Sequence, residues 1–472
     1  MPLLRYTMNC SFKTILIFLA LTCSSALYSQ KKWTLQECIQ YAFENNLNIK
    51  QQTLSIERDK NQLEQSKWAM GPSLSANAGY DFGWGRTANM QDLEINTEMT
   101  QYGNASIRAS IDIFRGLQKV NTVKSNQAQL QVSGQEVEQL KNDISLQIAN
   151  FYLQVLLRQE VLETARQSHQ SVAEQVDRTR KLVEAGSLAH SSLLEIQAQF
   201  ATEQVQVINA ENALRSDYLS LIQLLDLSTE TDFQIEVPNI QVDTNDFMGA
   251  PIDQLYYYSQ ILPQIRIGEF ALQQRAYQLA VSKGQRFPTL SLSTGISSSY
   301  NPDYREVESI YQPEIDPLNP VVPDPIINYR TLSFLDQLKS KRNTYLSFSL
   351  SIPILSGRTI ATNIRNAALG VRQAEIDMKN RQQALYKDIQ QANNNALSAL
   401  EQYKATLHNV NSMEESFRYV QQKLDVGSLN GTDFTVAKTN LFRAQSDNLQ
   451  AKYNYVFQLK ILDFYRGIPI TL

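Results

Sequence analysis

The chain has 472 residues, of which 43% are hydrophobic and 19% charged, with 43 Lys and Arg against 47 Asp and Glu and a net charge of −4. That balance leaves no basic footprint and argues against a nucleic-acid partner. The 3 cysteines include Cys10 and Cys23 in an N-terminal leader, so Cys38 stands alone and disulfides do not hold the fold.

In chain order, Arg5 and Lys13 precede the apolar run Ile15 to Leu21, and Ser24, Ser25 and Ala26 follow. This is the pattern of a secretory signal over residues 1–29, too short to span a bilayer as a helix. Cys23 follows Ala20, Leu21 and Thr22, a poor version of a lipidation signal. Beyond it no run of about 18 apolar residues occurs, so any membrane crossing falls to strands.

A first repeat, 30–227, opens with Leu35, Ile39, Ala42, Asn46, Ile49, Thr53, Ile56 and Leu63 at heptad spacing, which predicts one helix ending before Pro72. The period then drops to 2. Leu74, Ala76, Ala78, Tyr80 and Phe82 alternate with polar residues, as do Ala105, Ile107, Ala109, Ile111 and Ile113, which predicts two strands joined by a loop over Gly83 to Gly103. Between Gly116 and Gly186 runs one long helix, with a seam from Ile144, Ile148 and Val155 through Leu162, Ala165 and His169 to Val172 and Val183. Arg158 on that seam reads as a buried polar register device. At about 1.5 Å per residue such a helix reaches roughly 100 Å, so it cannot fold into a globule. A shorter helix returns over about Ser191 to Leu225.

A polar connector, 228–250, has strand character at Phe233 to Val237. The second repeat, 251–472, then restates every element. Its first helix carries Leu255, Leu262 and Ile265 and stops before Pro288. Its strands show Leu290, Leu292 and Ile296, then Leu346, Phe348, Leu350, Ile352 and Ile354, against serines. The loop between them, Asn301 to Asn343, is long and rich in proline and reads as a solvated outward loop. The long helix returns 241 positions later, with Leu385, Ile389, Ala392, Ala396, Ala399 and Val410 on its seam, and a short helix over Thr432 to Tyr465 follows. Gly427 to Leu429 repeats the Gly-Ser-Leu of Gly186 to Leu188.

Strands of about 10 residues with one apolar and one hydroxylated face suit a tilted membrane strand. Four strands cannot close a barrel, and open edges are not tolerated in lipid, so closure falls to other chains, with two copies giving eight strands and three giving twelve. The competing class is a periplasmic coiled-coil scaffold or adaptor without its own pore. An enzyme lacks support: no phosphate loop follows a strand, and no nucleophile or metal grouping stands at a recognisable spacing. No cofactor, catalytic residue or metal site is expected.

Several motifs are similar to those of the TolC family of outer-membrane efflux proteins. They are Trp33-Thr34-Leu35-Gln36-Glu37-Cys38 entering the first helix, the strand starts after proline, Ile352-Pro353-Ile354-Leu355-Ser356-Gly357 with its counterpart Ile113-Phe114-Arg115-Gly116, and Val426-Gly427 followed by Asp433 and Ala437. The likeness covers essentially the whole mature chain. It implies a mainly α fold with a membrane β-barrel portion. A homotrimer would form a 12-stranded β-barrel in outer-membrane lipid, continued by a 12-helix α-barrel in the periplasm of a Gram-negative bacterium. It implies a passive exit duct for a tripartite efflux or type I secretion system, with a periplasmic adaptor protein and an inner-membrane pump as partners. The adaptor-contact tip then falls at Gly186, Ser187, Leu188, Gly427, Ser428 and Leu429, with Leu188 and Leu429 exposed, and the pore constriction at Asp433. Departures at Ser192, Leu429 and Val436, where some members carry charges, weaken the constriction relative to those members.

Overall fold

The computed structural model describes residues 32–88, 95–228, 233–238, 240, 251–313, 324–425, 428–429 and 431–472. Outside them lie the signal segment 1–29, residues 89–94, most of the connector, residues 314–323 of the second loop, and Val426, Gly427 and Asn430.

In chain order the elements are β1 (Lys32–Trp33), α1 (Leu35–Asn45), α2 (Leu47–Trp68), β2 (Ser73–Ala88), β3 (Ile95–Arg115), α3 (Gln118–Glu184), α4 (His190–Leu224) and β4 (Gln234–Ile235). They continue as α5 (Ile252–Ser259), α6 (Pro263–Gly284), β5 (Thr289–Tyr300), β6 (Arg305–Tyr311), β7 (Ile326–Thr331), α7 (Phe334–Ser340), β8 (Asn343–Ser351), α8 (Thr359–Asp425) and α9 (Gly431–Tyr465). Equivalent helices match in length: 22 residues in α2 and α6, 67 in α3 and α8, 35 in α4 and α9.

The opening helix of each repeat is broken, where its periodicity predicts one continuous rod. Asn46 leaves the helix at ψ 126°, and its side-chain oxygen accepts from the backbone N–H of Asn48 at 2.9 Å and of Ile49 at 3.3 Å. It therefore caps α2 while terminating α1. The second repeat breaks by other chemistry, with Pro263 at the first position of α6, where its missing N–H is not needed. Heptad spacing runs through both breaks, which is why it conceals them. Upstream, Thr34 and Glu37 form a reciprocal capping box at 3.2 and 3.0 Å. Each long helix is entered through two left-handed residues, Gly116 and Leu117 in one repeat and Gly357 and Arg358 in the other. At Gly116 a Cβ would also strike the carbonyl oxygen of Gly284, so that site excludes any side chain.

The chain divides into two compact units: residues 1–56, 133–268 and 378–472 form one, and residues 57–132 and 269–377 the other. In the first unit, α3 buries Ile144, Ile148, Ala149, Tyr152, Val155 and Leu156 against Leu35, Cys38 and Ala42 of α1, Leu221 and Leu225, and the connector residues Phe233 and Ile235. β1 pairs in parallel with β4, and the Tyr152 hydroxyl donates to the Glu236 carbonyl at 2.7 Å beneath that pair. The equivalent part of α8 keeps one stripe, Leu385, Ile389, Ala392 and Ala396, against Leu255, Leu262, Ile265 and Leu462. The two long helices are thus alike in length and unlike in burial. Polar residues of α8, among them Asn393 and Asn394, stand where α3 carries Tyr152 and Leu153.

The second unit holds an antiparallel sheet in the order β2-β3-β5-β8. The β2–β3 ladder runs unbroken from Ser73 opposite Ser110 to Ala88 opposite Ile95, so much of the loop expected over Gly83 to Gly103 is strand. Alternation continues there, with Phe82 and Trp84 on one face and the glycines between them. The Asn301 to Asn343 loop is likewise structured in its described parts, holding the β6–β7 hairpin and α7. A bulge at Ile113 hands the apolar register to Phe114, which pairs with Leu290 where Ile113 was expected. β8 stops at Ser351, short of Ile354, because Pro353 lacks the N–H a ladder needs.

Replacing Asn46 by Ala should cost about 1–2 kcal/mol of stability through the lost cap, whereas Asn46→Asp keeps most of it. Thermal unfolding in detergent, followed by helical circular dichroism, checks this; equal melting of Asn46→Ala and the parent would remove the capping role.

Candidate functional site

Two regions carry the features that bear on function, one in each unit. In the first unit, α3 ends in a Schellman turn. Gly186 sits at φ 73°, Gly186 donates to the Val183 carbonyl at 2.9 Å, and Ser187 donates to the Leu182 carbonyl at 2.9 Å. Ser428 donates to Lys423 at 3.0 Å, the same bond one repeat later, while Gly427 lies outside the described residues. Gly186, Ser187 and Ser428 are exposed, but Leu188 and Leu429 are half-buried, a correction to the expectation that both project freely. Close by, α4 and α9 approach near their starts, with Gly431 so close to Glu195 that a Cβ would lie 2.7 Å from its carboxylate oxygen. Asp433 is exposed in the first turn of α9, where a carboxylate complements the helix dipole.

The same unit holds a buried polar pair that the sequence reading passed over. Glu203 is 0% exposed, and its carboxylate accepts from the Gln199 amide at 2.7 Å while its other oxygen has no hydrogen-bond partner. Burial pushes the nearby Lys438 amine below its ordinary pKa, and the Glu203 charge works against that fall. Glu203 continues the 3-4 spacing of Leu193, Ile196 and Phe200 on α4, so an acidic residue on an apolar stripe was the available signal. Arg158 is not buried as expected; it is 40% exposed and pairs with Asp217 at 3.0 Å. His169 stacks on Phe200 with ring centroids 4.5 Å apart. Cys38 is fully buried, and burial with the Glu37 charge raises its thiol to about 12, which makes it inert. Among the described residues no three His, Cys, Asp or Glu side chains could share a metal ion.

In the second unit the four-strand register sorts the sheet into two faces. On one face Leu74, Ala76 and Tyr80 lie beside Ala109, Ile107 and Gly103. Ile107 and Ile111 meet Ile296 and Leu292, and Leu292 and Leu290 meet Phe348 and Leu350. Among the described residues much of this face is open: Leu74 is 75% exposed, and Leu346 and Phe348 65%. On the other face serines oppose serines, Ser73 with Ser110, Ser106 with Ser297, and Ser291 with Ser349. The Arg108 guanidinium donates to the Tyr345 hydroxyl at 3.0 Å on this polar face. Among the described residues the sheet is open, with β2 and β8 each paired on one side alone, and no helix is long and apolar enough to cross a membrane.

The family model described as Outer membrane efflux protein matches residues 38–226 and 260–467. The chain belongs to that family. It is 22% identical over 453 residues to the outer membrane protein TolC of Escherichia coli (strain K12), covering 95% of this chain and 84% of that one. It is 21% identical to the alkaline protease secretion protein AprF of Pseudomonas aeruginosa over 349 residues, 72% of this chain and 65% of that one. Its fold is similar to that of CusC, whose crystal structures address folding and transmembrane channel formation, with a TM-score of 0.73, 16% identity, and 94% and 96% of the two chains covered. The protein is an outer-membrane exit duct rather than a periplasmic scaffold or adaptor. It resides in the outer membrane.

Proposed function

We propose that three copies close their sheets into one 12-stranded barrel, and that their helices continue it as a 12-helix α-barrel through the periplasm. The observation that carries this is the open amphipathic sheet, whose two free edges would leave rows of backbone N–H and C=O groups unpaired in hydrocarbon. The internal repeat supplies the seam. Ile107 of β3 pairs with Ile296 of β5, and the equivalent positions in the other repeat are Phe348 of β8 and Tyr80 of β2. Ser106 and Ser297 likewise correspond to Ser347 and Asp81. One copy's β8 then pairs with the next copy's β2 in that register. The rule also places Ile352 and Leu355 beside the next copy's Ala76 and Leu74, which would cover a segment whose Ile354 and Leu355 are 93% exposed here.

In this reading the pore is passive, and a periplasmic adaptor and an inner-membrane pump supply the connection and the energy in a tripartite efflux or type I secretion system. The adaptor meets the helix turns through Gly186, Ser187, Leu188, Gly427, Ser428 and Leu429, with the exposed serines making first contact. Three copies of Asp433 form a cation-attracting ring at the constriction. The repeats 30–227 and 251–472 act as pseudo-equivalent halves of each subunit behind a signal cleaved near residue 29.

Three measurements test the reading. Ser347→Cys combined with Asp81→Cys should oxidise to a covalent ladder ending at three chains, while Ser347→Cys with Gly83→Cys, two residues out of register, should not; a ladder ending at two would sink the trimer. Ser187→Glu with Ser428→Glu should leave the trimer assembled and conducting yet abolish export in cells, and normal export would remove the tip contact. Asp433→Asn should reduce cation preference in planar bilayers, and unchanged conductance and selectivity would dismiss the ring.

A further inference from the structure

Among the described residues the short helix α7 has no counterpart in the first repeat, and its place on the sheet is fixed by two strand residues. Ser298 and Tyr300 lie on the same face of β5 as Ile296, the apolar face. The Ser298 hydroxyl donates to the Leu338 carbonyl at 2.9 Å, and the Tyr300 ring meets Phe334 edge-on with centroids 5.0 Å apart. The helix therefore lies on the apolar face, at the end of β5 away from its start at Thr289. It is held there firmly. Gln337, 0% exposed, donates to the carbonyls of Asn301 at 2.9 Å and Leu332 at 3.2 Å and accepts from the Asn301 N–H at 3.0 Å.

Three further features mark this end of the sheet. Rings follow one another across the apolar face, Trp84, Phe82 and Tyr80 to Tyr300 and Phe334, with centroids 5.0 to 6.4 Å apart. Phe334 and Leu335 remain 51% and 64% exposed although they belong to a well-anchored helix. Lys339, one turn from Leu335, and Arg342 just past the helix are exposed cations, whereas Asp336 is engaged by its capping residue Ser333 at 2.6 Å. Eleven steps along β5 at about 3.3 Å, tilted about 40°, rise about 28 Å, close to the roughly 25 Å apolar band of a membrane barrel. The aromatic rings thus fall at the level where a bilayer changes from acyl chain to headgroup.

We propose that α7 is an interfacial anchor whose partner is the outer leaflet: Phe334 and Leu335 enter the upper acyl region, and Lys339 and Arg342 bind headgroup phosphate. The inference rests on reading the apolar sheet face as the lipid face, with which α7 is continuous. A lipid partner fits better than a sister subunit because apolar side chains and cations sit together on one helix, the arrangement of an interfacial segment.

The test uses the full trimer carrying Leu335→Cys labelled with a nitroxide, with buried Cys38 left unlabelled, in vesicles of phosphatidylcholine with and without phosphatidylglycerol. Ile107→Cys serves as the lipid-face reference and Glu308→Cys as the water reference, and collisions with oxygen and a nickel chelate are read. The expected result is several-fold more oxygen than nickel contact at 335, shallower than at 107 and deeper when phosphatidylglycerol is present, with that last shift lost in Lys339→Gln/Arg342→Gln. Nickel contact equal to that at 308 overturns the anchor, and silence toward both reagents overturns it in favour of a sister subunit. An unchanged depth with phosphatidylglycerol overturns the phosphate contact. A label at 107 that avoids oxygen would bring down the lipid-face reading itself, separately from α7.

Discussion

Backbone hydrogen bonding in hydrocarbon is the constraint on which the rest depends. Inside a bilayer an unpaired N–H or C=O costs several kcal/mol, because no water replaces the missing partner. The main sheet offers four strands with one apolar face, yet among the described residues its outer strands β2 and β8 each present one unpaired edge. No rearrangement within one copy removes both edges at four strands. In the proposed barrel, stability in the membrane and self-association become one requirement, and duplication answers it with little new invention. In that proposed barrel, the contact made within a copy between β3 and β5 is the one used again between copies.

The helices obey a different economy. A coil that meets its neighbours along a narrow seam leaves a wide face for water, and α8 follows that rule, with one stripe of Leu, Ile and Ala amid Gln, Asn and Lys. Helix α3 departs from it over Ile144 to Leu157, where it supports α1, the parallel β1–β4 pair and the connector. The repeats have diverged where one of them acquired an extra layer to hold. Near the turns the packing tightens around small residues and buried polar ones, Gly431 against Glu195 and Glu203 with Gln199. A buried carboxylate with an unsatisfied oxygen is costly in such a place.

Divergence is greatest between the strands of the second hairpin. The first hairpin simply lengthens, its ladder continuing through Trp84 to Ala88. The second adds a hairpin with Val307, Ile310, Ile327 and Tyr329 exposed, and a helix tied down by Gln337. Composition alone suggested a solvated loop there because proline is abundant. The buried glutamine shows a built element instead.

By itself the sequence determined the main helices and the four sheet strands, their order and their duplication, because periods of 3.5 and 2 are local properties that a chain displays without folding. The faces of the sheet and the seam of α8 were legible for the same reason, as were the starts of the long helices after Gly116 and Gly357. Hidden from it were features that depend on contacts far along the chain. The break at Asn46 preserves heptad spacing and shows itself only in a cap, and the bulge at Ile113 appears only against the partner strand β5. Leu188 and Leu429 look exposed in the sequence but are half-buried in the fold, and Arg158, on the seam by spacing, stays 40% exposed while it pairs with Asp217 of another helix. Tertiary structure decided these because pairing and burial belong to two segments at once, whereas periodicity belongs to one.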